Sequence, residues 1–420
     1  MKREKPELVS VPDIASEPGA EAGRVVAMEK WLLARMLEVC GGPPITLVLW
    51  DGQELTPAGA TPVGRVLIRD RAMLYRLVVN PDLEFGEGYS SGRIDVDGDL
   101  PEVLVAIYRA LSGAGSGRLK DRVLERIYRP RRNTLHQSRH NIHHHYDIGN
   151  GFYRLWLDRQ LVYTCAYFPS PGRSLEDAQT AKLDYVCRKL RLEPGETVAE
   201  AGCGWGALAL HMARHYGVNV RAYNISKEQL AFARERAKAE GLADRVEFVE
   251  GDYREISGQY DAFVSVGMLE HVGVAHYQQL GETINRCLKR DGRGLIHSIG
   301  RDRPALMNAW IEKRIFPGAC PPSLGEMTNI FEPWRFSVLD VENLRLHYAR
   351  TLEHWYARYQ AAEEQVGEMF DEEFVRTWRL YLAGSLAAFI NGDLQLFQVV
   401  FARSGSARVP WTRDYLYEEQ

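Results

Sequence analysis

The sequence predicts an α/β protein in which a small α+β unit precedes a doubly wound, mostly parallel sheet. Three observations lead to this prediction. The chain has 420 residues, more than one ordinary core organises, so a small and a large domain are expected. Beyond about residue 143, strand-like runs alternate with helical stretches of about 10 to 15 residues. The first of these strands, 197–201, leads directly into a glycine-rich turn and a helix.

Composition along the chain divides it into four predicted segments. Residues 1–24 are polar with scattered proline and glycine, which is typical of a flexible tail. Residues 25–113 predict a small α+β domain without a catalytic cluster of its own. Residues 114–140 predict a basic linker, and 141–420 predict the catalytic domain. The basic stretch has one apolar side, which suits either a solvated linker helix or contact with an anionic membrane surface.

Apolar spacing and turn residues predict the elements of the small domain in order. A helix is expected where apolar residues recur at helical spacing, and it ends at Gly41-Gly42. Asp51-Gly52 is a hairpin signal after the first strand. The predicted elements are helix 26–40, strands 45–49 and 66–68, helix 72–79, a turn-rich segment 86–100 with one short strand, and helix 101–111.

In the large domain, the alternation of strands and helices predicts parallel pairing. The late run 394–403 is predicted as a strand added antiparallel at one edge. The predicted strands are 197–201, 219–223, 246–249, 262–266 and 294–298, with helices 227–240 and 275–288 among them.

Composition restricts the class of protein. It is 45% hydrophobic and 26% charged, and no stretch approaches the ~18 uncharged apolar residues of a membrane span. The charged N-terminus lacks the apolar stretch of a signal peptide. The six cysteines form no CxxC pair and predict reduced thiols in a cytoplasm. A net charge of −4 argues against a general nucleic-acid binder.

The turn EAGCGWG, residues 200–206, predicts the cofactor site. Glycines let the backbone approach a ligand closely at the positive end of the following helix. The spacing of Gly202, Gly204 and Gly206 is GxGxG and not GxGxxG, and Glu200 precedes the turn, where a carboxylate can meet a ligand's ammonium group. This pattern predicts a Rossmann-like class I S-adenosylmethionine methyltransferase. The alternative is a chance glycine turn in another α/β protein.

The next two strands predict the remaining cofactor contacts. The second strand ends in an amide, Asn224, where such enzymes usually have an acid that holds the ribose hydroxyls. An amide also hydrogen-bonds hydroxyls, so Asn224 and Gln229 are candidates. Asp252, after the third strand, is suited to accept from the exocyclic amine of adenine, although it also fits a helix N-cap.

Four motifs in this order resemble those of cyclopropane-fatty-acyl-phospholipid synthases, and the mycobacterial mycolic acid cyclopropane synthases share much of the set. They are HYDIGN (145–150), YTCAYF (163–168), EAGCGWG (200–206) and GMLEHVG (267–273). The likeness covers roughly residues 140–405. The 25–113 unit also resembles the small N-terminal domain of the bacterial phospholipid enzymes.

This resemblance implies methylene transfer from S-adenosylmethionine to the cis double bond of an unsaturated phospholipid acyl chain. The carbocation formed on the way is deprotonated by a bound bicarbonate ion. By motif, the bicarbonate would be held by Cys165, Glu270, His297, Ile299 (through its backbone) and Tyr348. The implied cofactor-binding set is Tyr146, Tyr163, Thr164, Glu200, Gly202, Cys203, Gly204, Gly206, Asn224, Ile225, Gln229, Asp252 and Tyr253.

Each of these residues also has an ordinary structural interpretation. Cys165 fits a buried thiol, His297 a core histidine within an apolar strand, and Tyr348 an amphipathic helix position. Ser385 stands where many family members have a cysteine in Tyr-Leu-x-x-Cys, which excludes a thiolate nucleophile there. The histidines lack accompanying cysteine ligands, so no metal is expected; they are His136, His140, His143, His144 and His145.

Three other functions remain open. A lipid C-methyltransferase that stops at a methyl or methylene branch shares every motif. A small-molecule N-methyltransferase carries a similar Glu-His pair. A non-enzymatic lipid-binding protein on a decayed scaffold is the third, although the intact glycines and Glu270 oppose it.

The implied lipid substrate lies in a bilayer, so we expect peripheral contact with the inner face of the membrane. The candidates are the basic segment 118–140 and the apolar residues Trp310, Ile311, Ile315, Phe316 and Pro317, which also suit an acyl tunnel. Family likeness suggests a homodimer.

Overall fold

The computed structural model describes residues 23–113 and 148–417. Several sequence-based predictions fall outside these ranges. They are the flexible tail up to residue 22, the basic linker 114–140, the cofactor contact Tyr146, and the five histidines between residues 136 and 145.

Residues 23–113 form a four-stranded sheet with the strand order β2-β1-β3-β4. The predicted hairpin is present, because β1 and β2 pair antiparallel on either side of Asp51-Gly52. Leu33, Leu47 and Leu74 are buried in the core of this unit. The elements are α1 (Ala27–Val39), β1 (Thr46–Val48), β2 (Glu54–Leu55), β3 (Arg65–Ile68), α2 (Arg71–Val79), α3 (Pro81–Ser90), β4 (Ile94–Asp97) and α4 (Leu100–Gly113).

Helix α3 includes the start of segment 86–100, which the sequence predicted to be turn-rich. That prediction is wrong for the part of the segment that lies in α3. Proline at the first position begins this helix, and its fixed φ suits that place. Gly86 and Gly88 serve close packing within it. A Cβ atom on Gly86 would lie 2.2 Å from Trp310, and one on Gly88 would lie 2.7 Å from Ile94.

The larger sheet has seven strands in the order β10-β11-β9-β8-β5-β6-β7. Strands β9, β8, β5, β6 and β7 are parallel, and β11 pairs antiparallel with both β9 and β10. The predicted α/β class is therefore confirmed. The late strand β11 is antiparallel as predicted, but it lies second from the edge, because β10 pairs with its outer side. The strands are β5 (Thr197–Ala201), β6 (Asn219–Asn224), β7 (Val246–Glu250), β8 (Tyr260–Val266), β9 (Leu288–Gly300), β10 (Phe336–Asn343) and β11 (Gln395–Arg403).

Helices cover both faces of this sheet and bury apolar clusters against it. A third cluster, rich in aromatic residues, lies beyond the carboxyl ends of the strands. The helices are α5 (Asn150–Trp156), α6 (Leu175–Leu190), α7 (Ala207–Tyr216), α8 (Lys227–Ala239), α9 (Tyr277–Cys287), α10 (Ala309–Arg314), α11 (Leu324–Phe331), α12 (Arg345–Ala361), α13 (Glu363–Met369) and α14 (Glu372–Asn391). None of the helices in the described ranges is long and apolar enough to cross a membrane.

Ion pairs and backbone contacts join the N-terminal unit to the larger domain. Glu87 on α3 accepts hydrogen bonds from Arg314 at 2.7 and 2.8 Å and from Lys313 at 2.8 Å, both on α10. Arg376 on α14 donates to the Tyr89 and Ile94 carbonyls at 2.6 and 3.0 Å. The α3–α10 contact therefore holds the 301–335 insertion against the small domain.

Candidate functional site

A cavity opens at the carboxyl ends of β5, β6, β7 and β8, the edge at which α/β folds place their ligands. Eleven predicted cofactor residues line it: Tyr163, Thr164, Glu200, Gly202, Cys203, Gly204, Asn224, Ile225, Gln229, Asp252 and Tyr253. Gly206 is behind the lining. Its φ is +82°, and a Cβ atom there would lie 2.7 Å from Phe248, so this glycine shapes the turn.

The end of β6 forms a small amide network at the cavity. The Asn224 Nδ2 donates to the Gln229 Oε1 at 2.8 Å and to the Gly204 carbonyl at 3.2 Å. The Asn224 Oδ1 accepts from the Ile225 N–H at 2.8 Å. These contacts orient both amides beside the glycine turn, where the sequence predicts ribose hydroxyls.

Asp252 caps a short helix and also lies in the cavity wall. It caps the short 3₁₀ helix Tyr253–Glu255, since its Oδ1 accepts from the Arg254 N–H at 3.0 Å. It also lines the cavity. Capping therefore does not remove this carboxylate from the candidate adenine end.

Glu200 and Lys182 place an acidic and a basic side chain in the cavity wall. Both side chains are 2% exposed. Burial raises the pKa of Glu200 to about 8, against the opposing effect of Lys182. Burial lowers the pKa of Lys182 to about 8, and its Nζ donates to the Thr164 Oγ1 at 3.0 Å.

Several lining residues were not predicted from the sequence, among them Lys182, Trp205, Met268 and His271. Trp205 lies inside the quoted glycine motif. Its Nε1 donates to the Asn150 Oδ1 at 2.7 Å, which joins the described end of the HYDIGN motif to the turn.

A second group of predicted residues meets behind the cavity, where β8 and β9 end. The Ile299 N–H donates to the Glu270 Oε1 at 2.6 Å, while the buried Glu270 Oε2 has no hydrogen-bond partner among the described residues. His297 is 1% exposed, and its Nδ1 lies 3.0 Å from the Gln398 Nε2. Its buried Nε2 likewise lacks a partner in the described part of the chain.

Burial sets the protonation of this group. It raises the pKa of Glu270 to about 7, while hydrogen bonds such as that from Ile299 lower it. It holds the pKa of His297 well below the usual range, so the imidazole is neutral. A carboxyl with a raised pKa and a neutral imidazole are thus buried where β8 and β9 end, each with one polar atom that lacks a partner among the described residues.

Cys165 and Tyr348 both contact the backbone carbonyl of Leu344. The Cys165 Sγ is 3.1 Å from the Ala166 carbonyl and 4.0 Å from the Leu344 carbonyl, which also accepts from the Tyr348 N–H at 3.1 Å. Burial raises the pKa of the Cys165 thiol, which is therefore a neutral thiol.

Backbone pairing connects Leu344, which contacts both Cys165 and Tyr348, to Ile299. The Leu344 N–H donates to the Leu396 carbonyl at 2.8 Å, and Leu396 pairs with Ile299 across β11 and β9. Neither Cys165 nor Tyr348 lines the cofactor cavity.

Aromatic rings fill the space beside the predicted catalytic residues. Tyr163, which lines the cavity, has its ring centroid 5.2 Å from Trp156 and 5.4 Å from Trp355. Its hydroxyl lies 2.8 Å from that of Tyr381. Tyr348 packs with its centroid 5.9 Å from Trp355. These packed rings form an aromatic wall on this side of the site.

The 301–335 insertion closes one side of the site. The ring of Phe316 lies 5.9 Å from His271 and 5.6 Å from Tyr381. Trp310 and Ile315 are buried inside the protein, so their predicted membrane contact is wrong. Trp310 packs against Gly86 of the N-terminal unit, a contact that apolar spacing within the insertion does not reveal.

Known proteins resemble this chain over both parts. The family described as mycolic acid cyclopropane synthetase matches residues 133–399, and a domain of unknown function matches residues 32–114. A probable fatty acid methyltransferase of Pseudomonas putida is 34% identical over 394 residues, which covers 89% of this chain and 96% of that protein.

Two further relatives match the larger domain. The cyclopropane-fatty-acyl-phospholipid synthase of Escherichia coli strain K12 is 42% identical over 260 residues, covering 62% of this chain and 66% of that enzyme. The crystal structure of the mycolic acid cyclopropane synthase CmaA1, complexed with SAH and CTAB, superposes with a TM-score of 0.60 at 30% identity. That match covers 63% of this chain and 98% of CmaA1.

Proposed function

We propose, from the premise that this chain belongs to the mycolic acid cyclopropane synthetase family, that it forms cyclopropane rings on unsaturated phospholipid acyl chains. The family makes the chain an S-adenosylmethionine-dependent methyltransferase that acts on lipids. One observation supports the finer step in particular. Glu270 and His297 are both buried, each with a polar atom, Oε2 and Nε2, that lacks a partner among the described residues, and the Ile299 N–H that donates to Glu270 lies two residues after His297 on β9.

The lining of the cavity fits S-adenosylmethionine, which supplies an electrophilic sulfonium methyl group. The buried Oε2 of Glu200 has no hydrogen-bond partner in the described ranges, and it suits an ammonium group. Asn224 and Gln229 supply oriented amides beside the turn, and Asp252 supplies an acceptor at the next strand. These residues bind and orient the reagent.

Ring formation needs a base as well as an electrophile. When the methyl carbon bonds to one alkene carbon, its bond to sulfur breaks and the other alkene carbon becomes a cation. Closing the ring forms a second C–C bond from the new methyl group, and one C–H bond of that group breaks. The released proton needs an acceptor inside a dry site.

The second group of residues fits a bicarbonate ion, which would supply that acceptor. Glu270, when protonated, donates from Oε2, and the Cys165 thiol donates from Sγ. The neutral His297 presents Nε2 as donor or acceptor, according to its tautomer. Such a set satisfies an anion that both accepts and donates hydrogen bonds.

The aromatic wall suits the cationic stage of the reaction. Ring faces attract a cation and supply no nucleophile that would capture it. Tyr163, Trp355 and Tyr348 provide this surface between the cavity and Cys165. Excluding water there protects the cation until the proton leaves.

Label transfer tests the proposal. Purified protein is incubated with methyl-labelled S-adenosylmethionine and vesicles of unsaturated phosphatidylethanolamine, with saturated vesicles of the same head group as the control. We expect label in the acyl chains of unsaturated vesicles alone. Label in a head-group amine, or equal label in both vesicle types, would contradict an alkene acceptor.

A lipid C-methyltransferase is the second candidate. The Pseudomonas putida relative, a probable fatty acid methyltransferase, aligns over 96% of its own length, including the N-terminal unit. A methylene-branched chain and a cyclopropane chain are isomers, so mass alone does not separate them. The branched alkene adds hydrogen under mild catalytic hydrogenation and the ring does not, which distinguishes the two products.

The proposed substrate requires contact with a membrane surface. Met28 and Trp31, one turn apart on α1, have exposed fractions of 59% and 64%. Exposed tryptophan favours the interface of a bilayer. We expect Trp31→Ala to reduce co-sedimentation with anionic vesicles. Unchanged sedimentation would remove α1 from the contact.

A further inference from the structure

Lys182 is a buried lysine that forms no ion pair with any residue that the structure describes. It lies on α6, is 2% exposed and lines the cofactor cavity. Its one hydrogen bond to a described residue is that to the Thr164 Oγ1, at 3.0 Å. Among the residues that the structure describes, no carboxylate forms an ion pair with it. A buried ammonium group in that position is unfavourable unless something else compensates its charge.

A second lysine on the same helix shows how burial is compensated without a ligand. Lys189 is 1% exposed, and its Nζ lies 2.5 Å from the Glu342 Oε2 and 3.8 Å from the Asp340 Oδ2. It also lies 4.7 Å from the ring centroid of Tyr185. Lys189 is thus satisfied by the protein alone. Lys182 is not, although both face inward from α6.

Glu200 places an acidic group in the same cavity wall. It is also 2% exposed, and its Oε2 has no hydrogen-bond partner among the described residues. Each of the two groups influences the other's charge, yet they form no ion pair. The cavity therefore presents a lysine and an acid that form no ion pair, and an α-amino acid offers a carboxylate to the first and an ammonium group to the second, which favour the charged form of each side chain.

We propose that Lys182 binds the α-carboxylate of the methionyl end of S-adenosylmethionine, while Glu200 receives its α-ammonium group. The Thr164 hydroxyl assists, because it accepts from Lys182 and keeps its own hydrogen to donate to the same carboxylate. This assignment rests on cofactor use and is independent of the lipid and of ring closure.

A ligand pair that differs only in the carboxylate tests this assignment by binding. S-adenosylhomocysteine and its decarboxylated analogue are titrated calorimetrically into the wild-type chain and into Lys182→Met. For S-adenosylhomocysteine we expect Lys182→Met to weaken binding about 10- to 100-fold, as for a lost charged hydrogen bond. For the decarboxylated analogue we expect a change of less than about threefold.

The matched control is Lys189→Met, which removes an equally buried lysine from the same helix. We expect it to leave the affinity ratio of the two ligands unchanged, even where it lowers stability. Equal weakening of both ligands by Lys182→Met, or no weakening of either, would overturn the assignment.

The wild-type chain provides a test that does not depend on folding of a variant. The affinity ratio of S-adenosylhomocysteine to its decarboxylated analogue should fall as the pH rises above the range in which Lys182 is charged. A ratio that is constant up to about pH 11 would also overturn the assignment, since lysine is neutral there. Failure of label transfer to lipid would leave both binding results standing.

Discussion

Replacing Glu270 by Gln should stabilise the ligand-free protein, and the gain should grow as the pH rises. Glu270 is 6% exposed, and burial raises its pKa from 4.5 to about 7. A carboxyl group whose pKa is higher in the folded chain than in the unfolded one favours folding only while it is protonated. Its contribution is complete below pH 4.5 and is lost as the pH rises through about 7.

The size of this pH-dependent stability change follows from the pKa values of Glu270 in the unfolded and folded chains. Relative to acid pH, linkage predicts that ionisation of Glu270 lowers the free energy of unfolding of the wild-type chain by about 1 kcal/mol at about pH 5 and by about 3 kcal/mol at about pH 8. Glutamine does not titrate and still accepts from the Ile299 N–H. The stability advantage of Glu270→Gln over wild type should therefore grow by about 2 to 3 kcal/mol between these pH values.

Urea denaturation followed by tryptophan fluorescence, without cofactor, measures this difference at both pH values. Glu282→Gln is the matched control, because Glu282 is exposed on α9 and should show no such dependence. Parallel stability profiles of Glu270→Gln and wild type would refute a buried, half-titrated carboxyl. Under the same proposal, Glu270→Gln should retain affinity for S-adenosylhomocysteine and lose most turnover.

Two further predictions concern backbone and domain contacts. Gly206→Ala should lower stability by about 1–3 kcal/mol in calorimetry, since φ is +82° and Phe248 blocks a Cβ atom. Gly384→Ala in α14, where a Cβ atom enters open space, should raise stability by about 0.5–1 kcal/mol. If both alanine variants changed stability in the same direction, the packing assigned to the two glycines would be contradicted. Hydrogen bonds from Arg314 hold the pKa of Glu87 at about 2, so this carboxylate stabilises the fold above pH 4.5 and ceases to do so as the pH falls through about 2. Allowing for solvent screening, Glu87→Gln should cost about 1–2 kcal/mol at neutral pH and progressively less in acid, and a constant loss would contradict the ion pair.

Local patterns were sufficient to predict six of the seven strands of the larger sheet and most of the cofactor cavity. The glycine turn and the residues after β6 and β7 depend on spacing within a few positions, and the structure brings Glu200, Asn224 and Asp252 to one cavity. Helix α3 was missed because Gly86 and Gly88 resemble turn residues until their packing partners are known. Strand β10 was missed as well.

Lys182 shows why the rest of the site was not predictable. A signal existed, because Lys182 interrupts the buried stripe of α6 that includes Leu175, Ala178 and Val186. Lys189 interrupts the same stripe, but Glu342 of the protein itself compensates its charge. Sequence spacing alone does not distinguish Lys182 from Lys189. What separates them is the long-range partner, which is the cavity for Lys182 and β10 for Lys189.

The most direct measurement uses S-adenosylmethionine with a trideuterated methyl group and vesicles of a monounsaturated phospholipid. Nuclear magnetic resonance and mass spectrometry of the isolated acyl chain count the deuterons and identify the carbon skeleton. We expect a cyclopropane ring whose methylene carbon carries two deuterons, because one deuteron leaves when the ring closes. A methyl branch that retains three deuterons, or deuterium found outside the acyl chain, would contradict ring formation by this protein.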